Sequence, residues 1–259
     1  MQDLVDTHCH LDAAEFDRDR DEVVHAARAA GVCTIVVPAV KRANFSAVAE
    51  VCRVYPGCGP AYGIHPLYVD RAVAEDIDVL RATIAGSPPV AIGEIGLDFF
   101  QQGYDAERQE YYFTEQLKIA RDHQLPVILH VRRAVDAVLK QLRRITVSGG
   151  IAHAFNGSRQ QAEAFIALGF KLGFGGAMTF DRALRIRELA KTLPLEAIVL
   201  ETDAPDMPPS LIGRGRNSPA ELPRIAQVLA GLRGEEVGHI AAVTTRNAMV
   251  ALPALMISQ

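Results

Sequence analysis

Tryptophan is absent from the 259 residues, and aromatic residues make up only 6% of them. The strongest stacking side chain is therefore unavailable to any ligand platform. Cysteine is scarce too: Cys9, Cys33, Cys52 and Cys58 are the only four, and none sit in a Cys-x-x-Cys spacing. That argues against a cysteine zinc ribbon or a disulfide scaffold and reads as reduced thiols in a cytoplasmic protein. A Cys52–Cys58 bridge stays open but is not indicated. No run of about 18 apolar residues occurs, so no membrane span is expected. The start, residues 1–6, lacks a basic n-region and an apolar h-region, so no signal peptide is expected. No Ser/Gly-rich tract, like-charge block or internal repeat divides the chain, which reads as one domain over 1–259. Charge of one sign is also lacking: 27 Lys+Arg stand against 31 Asp+Glu, a formal charge of −4. This excludes a general duplex-DNA coat protein. It leaves open a nucleic-acid enzyme whose bound cations supply positive charge locally.

What is present is a barrel's worth of chain: about 250 residues suit one (β/α)₈ barrel. Eight short β-rich runs recur, at residues 4–8, 32–37, 61–65, 90–94, 127–130, 150–153, 171–174 and 197–201. Several are apolar on both faces, as strands covered on both sides should be. Helical patterns lie between them. Residues 20–30 stop at Gly31, a good C′ residue. Residues 106–123 align Phe113, Leu117 and Ala120 on one face. Ser158 caps residues 159–168, and Ser218-Pro219-Ala220-Glu221 reads as a capping box with Pro at N1. The alternation predicts an α/β TIM barrel. An open doubly wound sheet is the alternative, but His8-Cys9-His10 follows the first run where a glycine fingerprint would stand, and Gly173-Phe174-Gly175-Gly176 does not fit G-x-G-x-x-G.

Polar residues end these runs. Five of the eight histidines (His8, His10, His65, His130 and His153) sit there, with Glu94 and Asp203. In a barrel these ends converge on one mouth. His8 and His10 are two apart on an extended chain, so both face one way and can bite one cation, with Cys9 opposite. Six ligand candidates exceed one tetrahedral zinc site. They suit two cations about 3.5–4 Å apart sharing a carboxylate. Glu94, with two oxygens, is the natural bridge. His8, His10 and Asp203 would complete one site, and His130 and His153 the other. The mixed donors suit Zn, Mn, Fe or Co more readily than an all-oxygen Mg site. His65 and Arg132 stand at the same strand ends. Phe99, Phe100, Tyr104 and Phe155 follow strand ends and read mainly as loop packing. Arg214, Arg216 and Arg246 read as ordinary solvated surface rather than a basic rim.

The ordered motifs His-x-His, Gly-x-His-Pro, Gly-Glu-x-Gly-Leu-Asp, Leu-His-x-Arg, His-x-Phe-x-Gly-Ser and Glu-Thr-Asp-Ala-Pro, spread from Asp6 to Asn247, resemble the TatD-like metal-dependent hydrolases, and most closely their YjjV-type branch. The resemblance implies an amidohydrolase-type barrel with a divalent metal centre and Mg²⁺- or Mn²⁺-dependent DNase action, including 3′→5′ exonuclease action on single strands. It implies His8, His10, Glu94 and Asp203 at the first metal and Glu94, His130 and His153 at the second, with Glu94 in place of a carbamylated lysine. One departure is visible: many members carry Asp after the arginine of His-x-Arg, whereas this chain has Arg133. The expected reaction is phosphodiester hydrolysis with two divalent cations (Mg, Mn or Zn), Asp203 as general base or shuttle, Glu94 holding the pair, and His65 and Arg132 binding the substrate phosphate. The expected partner is nucleic acid, single-stranded DNA above all, or a small phosphoester, with no membrane and no obligate protein partner. Competing readings are hydrolysis of a small phosphoester, lactone or cyclic amide, and a metal-binding protein without turnover.

Overall fold

The computed structural model describes residues 3–255. Eight strands, β1 (Leu4–Asp6), β2 (Val32–Pro38), β3 (Cys58–Tyr62), β4 (Ala91–Asp98), β5 (Val127–Arg132), β6 (Gly150–Ala152), β7 (Phe170–Phe174) and β8 (Ile198–Leu200), pair in parallel, each with the next in sequence. Around them run α1 (Arg20–Ala29), α2 (Phe45–Val54), α3 (Glu75–Gly86), α4 (Ala106–Asp122), α5 (Val135–Arg144), α6 (Arg159–Ala167), α7 (Leu184–Thr192), α8 (Leu222–Arg233) and α9 (Val237–Ala251). The seam between β8 and β1 is sewn just past the strand ends. Thr7 N–H donates to Leu200 O (3.1 Å), Asp203 N–H to His8 O (2.8 Å) and His10 N–H to Ala204 O (2.8 Å).

The strands bury both faces, hence their near-continuous apolar sequence. Val5, Val36, Ala61, Ala91, Ile128, Ile151 and Val199 form an inner core. Leu252 and Leu255, from the chain after α9, join that cluster. Leu255 sits against Gly59 and Val90, at the start of β3 and β4, opposite the histidine-bearing ends. Alternate residues such as Leu4, Ile35, Tyr62, Ile92 and Leu129 face the helices. One strand breaks the alternation. Ile92 pairs with Val127 and Ile95 with Leu129, so three steps on β4 match two on β5. This bulge keeps both isoleucines in the outer layer while the intervening Glu94 turns toward the mouth. Gly96 (φ +148°) permits the close approach of β5, because a Cβ there would lie 1.9 Å from His130 O.

Several ends differ from the sequence reading. β1 stops at Asp6, β6 at Ala152 and β8 at Leu200, so His8, His10, His153, Glu201 and Asp203 lie just past the strands, where the chain turns into loops. The Ser158 capping box forms, with Gln161 reciprocating. At Ser218 only half of it does: the hydroxyl accepts from Ala220 N–H of a short 3₁₀ turn (3.3 Å), while Glu221 pairs with Arg224 at 3.2 Å. All four cysteines are free thiols. No helix among the described residues is long and apolar enough to cross a membrane.

Candidate metal centre

The bulged β4 aims Glu94 into the middle of the mouth, where its two oxygens face different partners. Oε2 lies 3.1 Å from His8 Nε2 and 3.7 Å from His10 Nε2. Asp203 Oδ1 lies 3.6 Å from each of those nitrogens, and the two nitrogens are 3.3 Å apart. A cation with ligand bonds of about 2.0–2.2 Å needs tetrahedral edges of roughly 3.3–3.6 Å. The five separations involving a histidine, 3.1–3.7 Å, bracket that range within 0.2 Å, close to the spacing of a single coordination shell. Glu94 Oε1 faces the other way, 3.0 Å from His130 Nδ1, 3.5 Å from His65 Nε2 and 3.9 Å from His153 Nε2. His153 Nε2 also lies 3.9 Å from Asp203 Oδ2.

The far ring nitrogens set the tautomers. His130 Nε2 lies 2.9 Å from Asp98 Oδ2, which can only accept while it is ionised. His130 Nδ1 is then left as a lone pair facing Glu94 Oε1, an arrangement that a proton or a cation satisfies. His153 Nδ1 lies 3.1 Å from Glu201 Oε1, whose carboxylate also accepts Ala154 N–H (2.6 Å). Gly173 on β7 makes room for it, since a Cβ there would lie 2.1 Å from Glu201 Oε2. His10 Nδ1 lies 3.2 Å from Pro38 O. These are the partners that orient ligating imidazoles. His8 Nδ1 has no hydrogen-bond partner among the described residues, and His153 Nδ1 meets Glu201 at ion-pair distance without hydrogen-bond geometry. His65 is wired in reverse. Its Nδ1 accepts Leu67 N–H (3.1 Å), so the neutral ring presents an N–H, not a lone pair, from Nε2. Although His65, Glu94 and His130 cluster closely enough for a cation, His65 is built as a hydrogen-bond donor.

The electrostatics follow from burial and crowding. Burial alone would raise Glu94, but His65, His8 and the His130 hydrogen bond hold its carboxyl well below the usual range. Burial, reinforced by His153, holds His8 well below the usual imidazole range, the neutral form a ligand needs. Burial pushes His65 down to about 3 against the pull of Glu94. For His153 burial also opposes charge, yet Glu201 and Asp203 outweigh it and lift the ring to about 10. Asp203 is pushed up to about 6 by burial, against His153 and His10.

All eight residues singled out from sequence line or floor the same mouth, a cleft of about 790 Å³. Arg132 lies on its wall with the guanidinium 3.7 Å from the Phe100 ring centroid, not turned into the clusters. Phe155 packs inside against Phe165, and Phe99 stacks on Tyr104. Arg216 is tied to Asp19. Sequence reasoning missed Asp98 and Glu201 as orienting carboxylates. Each stood in a quoted motif, four residues after Glu94 or two before Asp203.

Fold and donor set together define a metal-dependent hydrolase. The sequence matches the family profile described as TatD related DNase over residues 5–252. It is 39% identical to the uncharacterized metal-dependent hydrolase YjjV of Escherichia coli (strain K12), covering 94% of this chain and 95% of that one. It is 35% identical to the 3'-5' ssDNA/RNA exonuclease TatD of Pantoea sp. (strain At-9b), covering 95% and 97%. The crystal structure of the TatD homologue YjjV from Escherichia coli K12 superposes with a TM-score of 0.94 at 38% identity, over 97% of this chain and 98% of that one. The chain belongs to the TatD family.

Proposed function

We propose that the mouth holds two divalent cations and hydrolyses phosphodiester bonds of single-stranded DNA. The observation that carries the two-cation reading is the division of Glu94, with Oε2 turned to His8 and His10 and Oε1 to His130 and His153. The first site would be held by His8, His10, Glu94 and Asp203, the second by Glu94, His130 and His153. The substrate class is supported by the relatives named as exonucleases and by Lys41 and Arg132, cations on the cleft wall. Bound divalent cations supply Lewis acidity at the scissile phosphate and activate a water for attack.

The chain's own groups do the rest. Asp203, less buried than Glu94 and facing both clusters, takes the proton from the attacking water. Glu94 keeps the two halves of the site at fixed separation. His65, fixed as an Nε2–H donor by Leu67, hydrogen-bonds a non-bridging phosphate oxygen. Arg132 sits at the wall where the adjoining phosphate enters.

The test is a panel of single-stranded and duplex oligonucleotides, p-nitrophenyl phosphates, lactones and cyclic amides. It is assayed on chelated protein resupplied with Mg²⁺, Mn²⁺ or Zn²⁺. Metal-dependent cleavage of single strands is expected, and hydrolysis only of a small ester or amide would overturn the substrate class. Asp203→Asn is expected to lower kcat at least about a hundred-fold while the second site still takes up metal by titration. Unchanged turnover would remove Asp203 from proton transfer.

A further inference from the structure

A second groove lies beyond the wall that carries Arg132. It has a volume of about 780 Å³, within the roughly 300–1,000 Å³ that encloses a compact organic ligand. Val131, Arg132 and Asn156 line both it and the metal-centre cleft, so the two are continuous. Of its lining residues, the proposed reaction uses only Arg132.

Its chemistry is distinctive. Phe100 is 44% exposed and stands at its edge, with the Arg132 and Arg133 guanidinium carbons 3.7 and 4.6 Å from its ring centroid. Arg133 reaches the same ring because its backbone takes a left-handed turn (φ 55°) directly after β5. Arg185, from α7, enters from the other side and is held by Asn156 Oδ1 at 2.6 Å. One carboxylate lines the groove, Asp136, and it accepts a hydrogen bond from Gln161 at 2.9 Å. Three arginines thus face one engaged carboxylate in a chain of formal charge −4. Two guanidinium groups over an exposed ring offer a cationic aromatic shelf, and Arg185 offers a separate positive point. That pairing suits alternating planar bases and phosphates.

We infer that this groove binds the nucleotides next to the scissile one, with a base stacked on the Phe100–Arg132–Arg133 shelf and a phosphate at Arg185. The inference rests on the nucleic-acid reading of the metal centre and adds to it a requirement for strand length. Rates should climb as the strand grows from a dinucleotide to a pentanucleotide and then level off, since the groove fills.

Two measurements test it. The first is kcat/KM against oligothymidylate length for the Mn²⁺-supplied protein and for Phe100→Ala, Arg185→Ala and Arg185→Glu. The rise with length should flatten in all three, with Arg121→Ala on α4 as an outside control. The second is anisotropy of a labelled phosphorothioate pentathymidylate, which resists hydrolysis. Phe100→Ala should weaken binding about five- to a hundred-fold. Arg185→Ala should reduce the slope of log affinity against log salt by about 0.7. Phe100, Arg185 and the control Arg121 are all exposed, and a melting curve verifies each fold. Length-dependent binding that Phe100→Ala weakens, without cleavage of any oligonucleotide, would overturn the nuclease reading and keep the groove. Cleavage indifferent to length and to all three substitutions would overturn the groove and keep the nuclease.

Discussion

Asp98 shows how much a single carboxylate decides. Its Oδ2 holds His130 Nε2, while its Oδ1 accepts Phe100 N–H at 2.9 Å. Asp98→Asn keeps the second bond and neutralises the first. It is expected to weaken metal binding or turnover about 10- to 100-fold, with little change in melting temperature. Metal titration alongside kcat reads it, and an unchanged affinity and rate would mean that His130 needs no orienting partner. The thiols give an independent reading at the same scale. Burial pushes Cys58 up to about 12 and raises Cys9 and Cys52 as well. The thiolate is the reactive form and its fraction falls about tenfold for each unit by which the pKa exceeds the pH, so these three should resist alkylation at pH 8 in the folded protein. Unfolding should release them toward ordinary reactivity, and mass spectrometry after timed iodoacetamide treatment counts the difference. Cys33, also raised but more open, should react first among the four.

At the scale of the element, α4 does more than cover the barrel. Gln109 and Gln116, two turns apart, insert their amides against the ends of two strands. Gln116 accepts Ile64 N–H at 2.7 Å and donates to Ile64 O at 3.1 Å. Gln109 does the same for Asp98, at 2.8 and 3.0 Å. Each side chain behaves as one more strand residue beside a position of the candidate site. Gln116→Leu strands a buried N–H and C=O next to His65 and is expected to cost about 2–4 kcal/mol by urea denaturation, with a raised KM. A loss below about 0.5 kcal/mol would show that water replaces the amide.

The strands themselves were readable, because burial on both faces leaves continuous apolar runs. Their ends were not. His8, His153 and Asp203 leave the ladder while still looking like strand continuations, and backbone pairing cannot be seen in side-chain pattern. The β4 bulge was hidden for a related reason: Ile92 and Ile95 are spaced like helix positions, yet both face the helices from a strand. The metal-centre residues stood out as polar groups at apolar strand ends. Asp98 and Glu201 shared those ends, and sequence alone does not tell which carboxylate of a motif faces inward and which turns to a ring behind it.

For the molecule as a whole, the end opposite the mouth is stoppered by the chain's own C-terminal stretch. Leu252 is fully buried within the inner core, and Asn247 of α9 donates to Leu195 O and Ile198 O at 2.8 and 2.7 Å, pinning the helix beneath β8. Leu252→Ala is expected to destabilise by about 2–5 kcal/mol without altering the metal affinity at the far end. A shift in denaturation midpoint at constant slope would mark a simple loss of stability. A changed slope would mean that the C-terminal segment comes away separately.

The seam has a consequence for what a cation would do there. His8 and His10 come from one margin of the sheet and Asp203 from the other, and the hydrogen bond from Thr7 Oγ1 to Leu200 O already spans 193 positions of chain. In the proposed reading, an ion shared by these three side chains is a clasp on a bracelet: it fastens the first strand to the last and closes the long loop from His8 to Asp203. Such a loop is among the costliest to close by chain entropy. The seam's own hydrogen bonds already join these margins, and the ion would add a further tie, so the hoop should loosen at this join before any other when the ion is withdrawn.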